Sequence, residues 1–591
     1  MTQFYSKRDL KFQLFELIKA DELNQIEYFQ DHNRETFEMI LEAADQIAQK
    51  SLRPLLTEMD RKEPQLENGK IKIHPGMKPV IQQFGRDGWI NSTFSYEEGG
   101  QQLPWTIHIA AGFILQAANY SASVFPFLTT GAANLIRTFG SQELIEKFTP
   151  NLYSGHWQGT MALTEPDAGS SLSDLTTAAY PTEKAGIYKI KGQKIYISCG
   201  DHDACENIIH LMLARIAGAP AGTKGISLFV VPQKRIDTQE SNDVLTQGIY
   251  HKMGYKGAPI AHLMIGSEDQ CEGYLVGEAN QGLKYMFQMM NEARLGVGMN
   301  GVAIATAAYY SSLAYAKERP QGRRINNKDL NQPQVPIIEH ADVKRMLLFQ
   351  KSVTEGSLAL LLYCSKLADE VQQEPNSEKK KAKEALLDLL TPIAKSYPSE
   401  MGVHSTSAAV QILGGAGYTT DFPVEQYYRE ARIHPIHEGT TGIHGLDLLG
   451  RKVLMSEGMA WKLLHQEILK SLNQSSLDPN LKSRFEKYHR IVLETAEKVL
   501  AKSKKGLEYY LADATLFLEM CGILCVAWKW LDQSHIAQSQ LNGGSPEKAF
   551  YQGKIMASEY FMEYELTKIE SLATRLQSDT YPTLEMGKEW F

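Results

Sequence analysis

At 591 residues the chain is too long for a single core, and at roughly 150 residues per domain about four packed units are expected. Its 43% hydrophobic and 22% charged residues suit an ordinary folded protein, and no low-complexity tract points to disorder. A net charge of −8 without clustered Lys and Arg lacks the means to neutralise phosphate, so no nucleic-acid partner is expected.

Residues 1–34 form an N-terminal extension that mixes acidic and basic residues and holds no apolar run long enough for a signal peptide or a membrane span. Six cysteines without CxxC spacing suit a reducing compartment. The expected location is cytoplasmic, with no membrane partner. Over 35–159, apolar spacing of three and four predicts a helical domain, with a break at Pro54. The small-residue stretch "HIAAGFILQAANYSASVFPFLTTGAANLIRTFG" reads as closely packed buried helices.

Over 160–282 the period changes to two. "GIYKIKGQKIYIS", "IIHLMLARI" and "GISLFVVPQK" predict a β domain. Strict alternation would put Lys194, Tyr196 and Ser198 on one face, and Ile195 and Ile197 on the other. Helical periodicity returns over 283–455, where the basic run Lys379 to Lys383, flanked by acids, reads as a solvated helix face. An additional helical domain follows over 456–591, with a polar linker from Asn473 to Asn480. The expected fold class is α+β multidomain: an N-terminal helical domain, a central β domain, a C-terminal four-helix bundle and an extra helical domain.

Three motifs carry chemistry. "MALTEPDAGSSLSDL", Met161 to Leu175, offers hydroxyls and a close backbone approach at Gly169, yet taken alone a Pro-Gly turn capping a strand is the simpler reading. In "QILGGAGYTTDFPVEQYYREARI", Gln411 to Ile433, GGAG lacks GxGxxG spacing and follows no strand, which excludes the dinucleotide fingerprint. A helix C-cap with left-handed glycines and a ligand contact both remain open. In "IHPIHEGTTGIH", Ile433 to His444, Pro435 and Gly439 prevent one helix from presenting His434, His437 and Glu438 together. No metal is therefore expected, which leaves a solvated turn or a single working carboxylate.

Together, "LTEPDAGSS", "GQKIYISCG", "AKERPQG", "QILGGAGY" and "IHEGTTGI" occur in the order and at distances that resemble the acyl-CoA dehydrogenase family, over most of 35–451. The 140 residues beyond Arg451 resemble its larger bacterial subgroup of broad-specificity fatty acyl-CoA and 3-methylmercaptopropionyl-CoA dehydrogenases. The resemblance implies FAD held between the β domain and the bundle. It assigns flavin contacts to Leu163, Thr164, Gly169 and Ser170, and to Tyr196 and Ser198, where the family usually has Trp and Thr. Thr440 is a further flavin contact. Arg319 is placed at the pyrophosphate with Gln321 beside it, although the family often continues Thr-Phe-Gly where this chain has Pro320, Gln321 and Gly322. Gln411 and Gly415 are placed at the adenosine half across a subunit boundary, which implies at least a homodimer. Ser170, Asn291, Arg294 and His437 are the implied substrate contacts, and His437 stands where the family more often has Tyr.

The implied chemistry is conversion of an acyl-CoA thioester to the trans-2-enoyl-CoA, with electrons passed to an electron-transfer flavoprotein. It needs a base for the α-proton, and a carboxylate serves if burial raises its pKa. By resemblance that base is Glu438. The family's other base position corresponds to Ala293, which carries no acid; Glu292 beside it points about 100° away on a helix. Two rivals are an acyl-CoA oxidase and a non-catalytic nucleic-acid-binding relative with a basic C-terminal domain. Against the second, residues 456–591 hold 16 Lys plus Arg and 18 Asp plus Glu. The extra helices are expected to pack on the core or to extend a dimer interface.

Overall fold

Ser6 caps the first helix, α1 (Lys7–Lys11), by accepting the Asp9 amide, and the chain continues through a π turn, Phe12–Leu17. The computed structural model describes residues 3–327, 329–474 and 477–591, with the backbone alone at 287–291. Helix α2 (Arg34–Ile47) is followed by α3 (Leu56–Arg61). Pro54 marks the expected break in the regular α-helix, since α2 gives way to a π turn, Ala48–Leu52, ahead of it. It lies in a 3-10 turn, Arg53–Leu55, that passes directly into α3, because a proline near a helix start has no needed amide to lose. Next come α4 (Met77–Arg86), α5 (Trp105–Ala118), α6 (Tyr120–Phe139) and α7 (Gln142–Tyr153). Asn119 separates α5 from α6: its backbone is extended and its side chain accepts the Ala122 amide. The small residues do what their composition predicts, since Ala132 and Ala133 are fully buried.

Strands β1 (Gln65–Glu67) and β2 (Lys70–Lys72) pair as a small ribbon. The main sheet contains β3 (Trp157–Ala162), β4 (Ala178–Pro181), β5 (Ile187–Ser198), β6 (Asn207–Ile216) and β7 (Ile226–Pro232). It is completed by β8 (Val244–Ile249), β9 (Ile260–Ile265) and β10 (Glu272–Leu275). The order is β10-β7-β6-β4-β5-β9-β8 with β3 parallel to β6, and β10 also pairs with β5, so part of the path closes on itself. Strand β7 is buried throughout and β6 over most of its length, which explains their unbroken apolar runs.

The expected alternation along β5 fails at one place. Its pairing with β9 slips between Lys194 and Ile197, where one extra residue bulges and Tyr196 adopts a left-handed φ of 57°. Lys194 is therefore not on the face of Tyr196 and Ser198. It is fully buried, Tyr196 is exposed, and Ser198 is partly buried with a side-chain hydrogen bond to Tyr255.

The remaining helices are α8 (Gly282–Glu318), α9 (Ala341–Gln373), α10 (Ser377–Leu413), α11 (Val424–Ala431), α12 (Thr441–Asp447) and α13 (Met455–Leu472). They continue with α14 (Pro479–Ala501), α15 (Leu507–Leu511), α16 (Ala514–Asn542), α17 (Lys548–Tyr560), α18 (Lys568–Gln577) and α19 (Pro582–Glu585). Pro398 within α10 leaves the Ala394 carbonyl without its helical donor, and Gly298 of α8 packs against that carbonyl where a Cβ would overlap it. This close approach sets the spacing of α8 and α10 at that point.

The chain divides into two compact units: Met1–Phe37 with Trp105–Phe113 and Arg294–Phe591, and Glu38–Pro104 with Ile114–Ala293. In the first, the additional helices pack on the bundle as expected, because α16 lies against α9, α10 and α12. Trp528 and Trp530 are fully buried, their indole N–H groups donating to Ser471 Oγ (2.7 Å) and the Ser352 carbonyl (2.9 Å). The N-terminal extension belongs to the same core: Gln13 donates to the Glu355 carbonyl, and Lys554 joins Asp9, Glu355 and Gln533. Among the described residues one helical stretch, Leu507–Asn542, is long and apolar enough to cross a membrane, and two-thirds of its apolar window is buried inside the protein. The Lys379 to Lys383 run lies on a solvated face, where Lys381 meets Glu378 and Lys383 meets Glu370 and Glu374, each at 3.1 Å.

Candidate active site

In the β-containing unit, β3 delivers the chain into Leu163–Ser170. Glu165 and Ala168 exchange backbone hydrogen bonds across Pro166 and Asp167, so the tight turn read from the sequence is present. The Ile195 amide donates to the Thr164 carbonyl, which lays this segment beside the β5 bulge. Glu165, which sequence reasoning passed over, organises the turn. Its carboxylate accepts the Thr176 amide (2.6 Å) and hydroxyl (2.7 Å), the Thr177 amide (3.1 Å) and Lys194 Nζ (2.8 Å); Lys194 also donates to the Leu163 carbonyl (2.9 Å). Burial pushes the Glu165 carboxyl up, but Lys194 and these donors outweigh it and hold it at about 2. Burial lowers Lys194 to about 8 against the pull of Glu165. The signal available in the sequence was Lys194 alone, a charge inside an otherwise apolar strand run.

A Cβ at Gly169 would meet no atom within 4 Å, so the backbone there borders open space, and Ser170 is exposed beside it. The Tyr196 ring lies tilted against Tyr250 with centroids 4.5 Å apart. The side chain of Asn291 lies outside the described residues. Glu292 turns to Asn134, whose amide donates to it at 3.3 Å.

In the helical unit, the turn before α12 carries Glu438. Glu438 and Gly439 both have left-handed φ, 53° and 89°, and a Cβ on Gly439 would stand 2.9 Å from His444 Nε2. Thr440 caps α12 by accepting the Ile443 amide, and Thr441 Oγ1 donates to Glu400 at 2.6 Å. Lys395, fully buried on α10, donates to the His434 and Gly439 carbonyls at 2.7 Å each. His434 Nδ1 lies 3.1 Å from His437 Nε2, and His444 Nε2 lies 3.0 Å from the Glu438 carbonyl, so the histidines face different partners instead of converging on one point. Burial lowers His437 and His444 to about 3 and His434 well below its ordinary value, which keeps all three neutral at pH 7. Burial raises the Glu438 carboxyl, opposed by Arg294 and Lys395. Arg294 is buried with Nη1 3.7 Å from Asp447.

Gln411 and Gly415 are exposed at the end of α10. Gly414 has φ 61° and ψ −137°, outside the left-handed helical region expected of a C-cap glycine and open to glycine alone. Arg319 follows α8, is exposed and enters no ion pair with a described residue; its carbonyl accepts the Ile337 amide. The Gln321 carbonyl lies 2.7 Å from His340 Nε2.

Family models for the acyl-CoA dehydrogenase N-terminal, middle and C-terminal domains match residues 34–156, 160–267 and 280–454, and an acetyl-CoA dehydrogenase C-terminal-like model matches 465–587. The 3-methylmercaptopropionyl-CoA dehydrogenase of Ruegeria pomeroyi is 35% identical over 99% of both chains. The chain belongs to the acyl-CoA dehydrogenase family. A butyryl-CoA dehydrogenase of Syntrophomonas wolfei is 32% identical over 94% of both chains, and a broad-specificity linear acyl-CoA dehydrogenase, FadE5, of Mycobacterium tuberculosis is 29% identical over 99% of both. The fold is that of Caenorhabditis elegans ACDH-11, solved with C11-CoA (TM-score 0.76, 19% identity, 96% of this chain and 93% of that one). It is also that of a Bacillus anthracis acyl-CoA dehydrogenase complexed with FAD (0.74, 21%, 96% and 91%).

This acyl-CoA dehydrogenase is an oxidoreductase, and the family's cofactor is FAD. The residues fit that group on the structure's own terms. Open space borders the backbone at Gly169 in the β-containing unit and at Gly414 and Gly415 in the helical unit, where Arg319 holds a cation with no carboxylate partner among the described residues.

Proposed function

We propose that this chain removes the α-proton of an acyl-CoA thioester with Glu438 while the β-hydride leaves, giving the trans-2-enoyl-CoA. FAD, when bound, supplies the hydride acceptor at N5 and holds the electron pair. The observation that carries the reading is Glu438 itself, a carboxylate with raised proton affinity on a turn held by Lys395 and His444, while Ala293 leaves the alternative base position without an acid. The Glu438 backbone amide is the donor proposed for the developing enolate oxygen. Neutral His437 forms part of the wall facing the acyl group, and Arg294, Asn291 and Ser170 are the proposed positioners of the thioester.

Leu163, Thr164, Gly169, Ser170, Tyr196, Ser198 and Thr440 would hold the flavin end of FAD. Arg319 and Gln321 would hold the pyrophosphate, whose paired oxygens suit a guanidinium, with Gln411 and Gly415 at the adenosine end. In this reading the enzyme is at least a homodimer, works in the cytoplasm and passes electrons to an electron-transfer flavoprotein. A panel of acyl-CoA thioesters, including butyryl-CoA and 3-methylmercaptopropionyl-CoA, with an artificial electron acceptor tests it beside Glu438→Gln. The variant should lose about 10²- to 10⁴-fold in turnover. Wild-type turnover in the variant would sink the assignment, and reoxidation in air as fast as turnover would make the enzyme an oxidase.

A further inference from the structure

We infer that Lys395 is the positioning residue of the base turn, clamping the backbone on both sides of Glu438 and setting the pH at which that carboxylate works; this rests on Glu438 being the base. A fully buried lysine is an expensive choice inside the apolar stretch "LLDLLTPIAKSYP", where a methionine would fill similar space without desolvating a charge. Lys395 forms no ion pair with a described residue. Its two hydrogen bonds go to the carbonyls of His434 and Gly439, and these bracket the turn. Within the bracketed stretch Glu438 has a left-handed φ of 53°, which a residue with a Cβ keeps only where the surroundings enforce it, and Gly439 follows with a φ of 89°. The ammonium is well suited to this task because its donors radiate from one atom and bridge acceptors five residues apart.

The charge acts alongside the geometry. Arg294 from α8, Lys395 and Glu400 from α10, and His444 and Asp447 from α12 surround the turn with its own His434 and His437. The histidines are neutral at pH 7, so Lys395 and Arg294 are the cations that oppose protonation of Glu438. Glu400 is engaged by Thr441, and Asp447 faces Arg294. Removing the Lys395 charge raises the proton affinity of Glu438. Since the base must be ionised to act, the acidic limb of kcat/KM then moves to higher pH.

The test uses Lys395→Met, Lys395→Gln and Lys395→Arg in the FAD-loaded enzyme, with Glu438→Gln alongside. Lys395→Met should lower kcat by about tenfold or more with a smaller change in KM, move the acidic limb up by about one pH unit and speed amide exchange over 434–441. Lys395→Gln keeps two N–H donors without charge and should move the limb with less loss of kcat. Lys395→Arg should leave the limb in place. Wild-type kcat, limb and exchange in Lys395→Met overturn the inference. Should that variant not fold, a limb unmoved in Lys395→Gln overturns it instead. Should Glu438→Gln keep its turnover, the base assignment fails separately, and unchanged exchange over 434–441 in the lysine variants then overturns the clamp as well.

Discussion

Replacing Glu165 by Gln tests whether one buried carboxylate holds the segment Leu163–Ser170 in place. A carboxyl that titrates at about 2 in the folded protein, against an ordinary value near 4.5, favours the ionised native form by about 3 kcal/mol. Gln is nearly isosteric but neutral. It loses the charge that Lys194 pairs with at 2.8 Å and turns an amide toward a donor. Lys194 limits the damage by releasing its proton, since it already titrates at about 8. Glu165→Gln should therefore be destabilised by about 3 kcal/mol at pH 7.5, a fall in Tm of about 6–12 °C for a unit of a few hundred residues. The sign with pH follows from the depressed folded value. The wild-type advantage is complete above pH 4.5 and is lost as pH falls toward 2, where the native carboxyl also becomes protonated. Thermal melting from pH 7.5 down to 3, together with the flavin absorbance retained per chain, measures both effects. The double variant Glu165→Gln/Lys194→Met, which also removes the orphaned ammonium, should recover part of the loss. A Glu165→Gln protein that melts within about 1 °C of wild type at pH 7.5 and keeps its flavin would refute the reasoning.

Three further outcomes are expected. Burial lowers His108, His202 and His210 to about 4 from an ordinary 6.5, so the stability they lend is complete above pH 6.5 and lost as pH falls toward 4. At pH 5.5 each weakens the fold by about 1.4 kcal/mol, and Tm should drop steeply between pH 6.5 and 4.5; a flat profile there contradicts their burial as neutral rings. Gly439→Ala places a Cβ on a φ of 89° and 2.9 Å from His444 Nε2, so turnover should fall at least about tenfold in a folded, flavin-bound protein, and unaltered kcat would count against the turn geometry. Truncation at Gln474 strips Trp528 and Trp530 from α9, and the rest of α16 from α10, and should give insoluble protein; a soluble, active product would show that the additional helices are dispensable to the core.

Much of the site was legible because short motifs carry local constraints. Pro435 and Gly439 already argued against a helical histidine ligand set, and the structure turns His434 to His437 and His444 to the Glu438 carbonyl. Glu438 stood out as the one carboxylate of its turn, and Ala293 as the empty alternative. Lys194 was assigned to the wrong company because alternation assumes an uninterrupted ladder. One extra residue near Tyr196 shifts the phase of the rest of the strand, and nothing in "GQKIYIS" announces it. Glu165 and Lys395 were passed over for a related reason. Their partners lie 29 and some 40 residues away, at separations that no periodicity encodes.

By itself the sequence determined the succession of helical and β segments, the family, and the residues available for chemistry. These depend on the period of apolar side chains and on the backbone limits of Pro and Gly, which act over a few residues. Only the tertiary structure decided which charges are buried and what they hold. It joins Glu165 to Lys194, brings Gly298 against the carbonyl that Pro398 leaves without its helical donor, and sets Lys395 beneath the turn that carries Glu438. The physical reason is desolvation: a lysine or a carboxylate reads the same in sequence whether exposed or enclosed, and only packing removes the water that would otherwise make its partners unimportant.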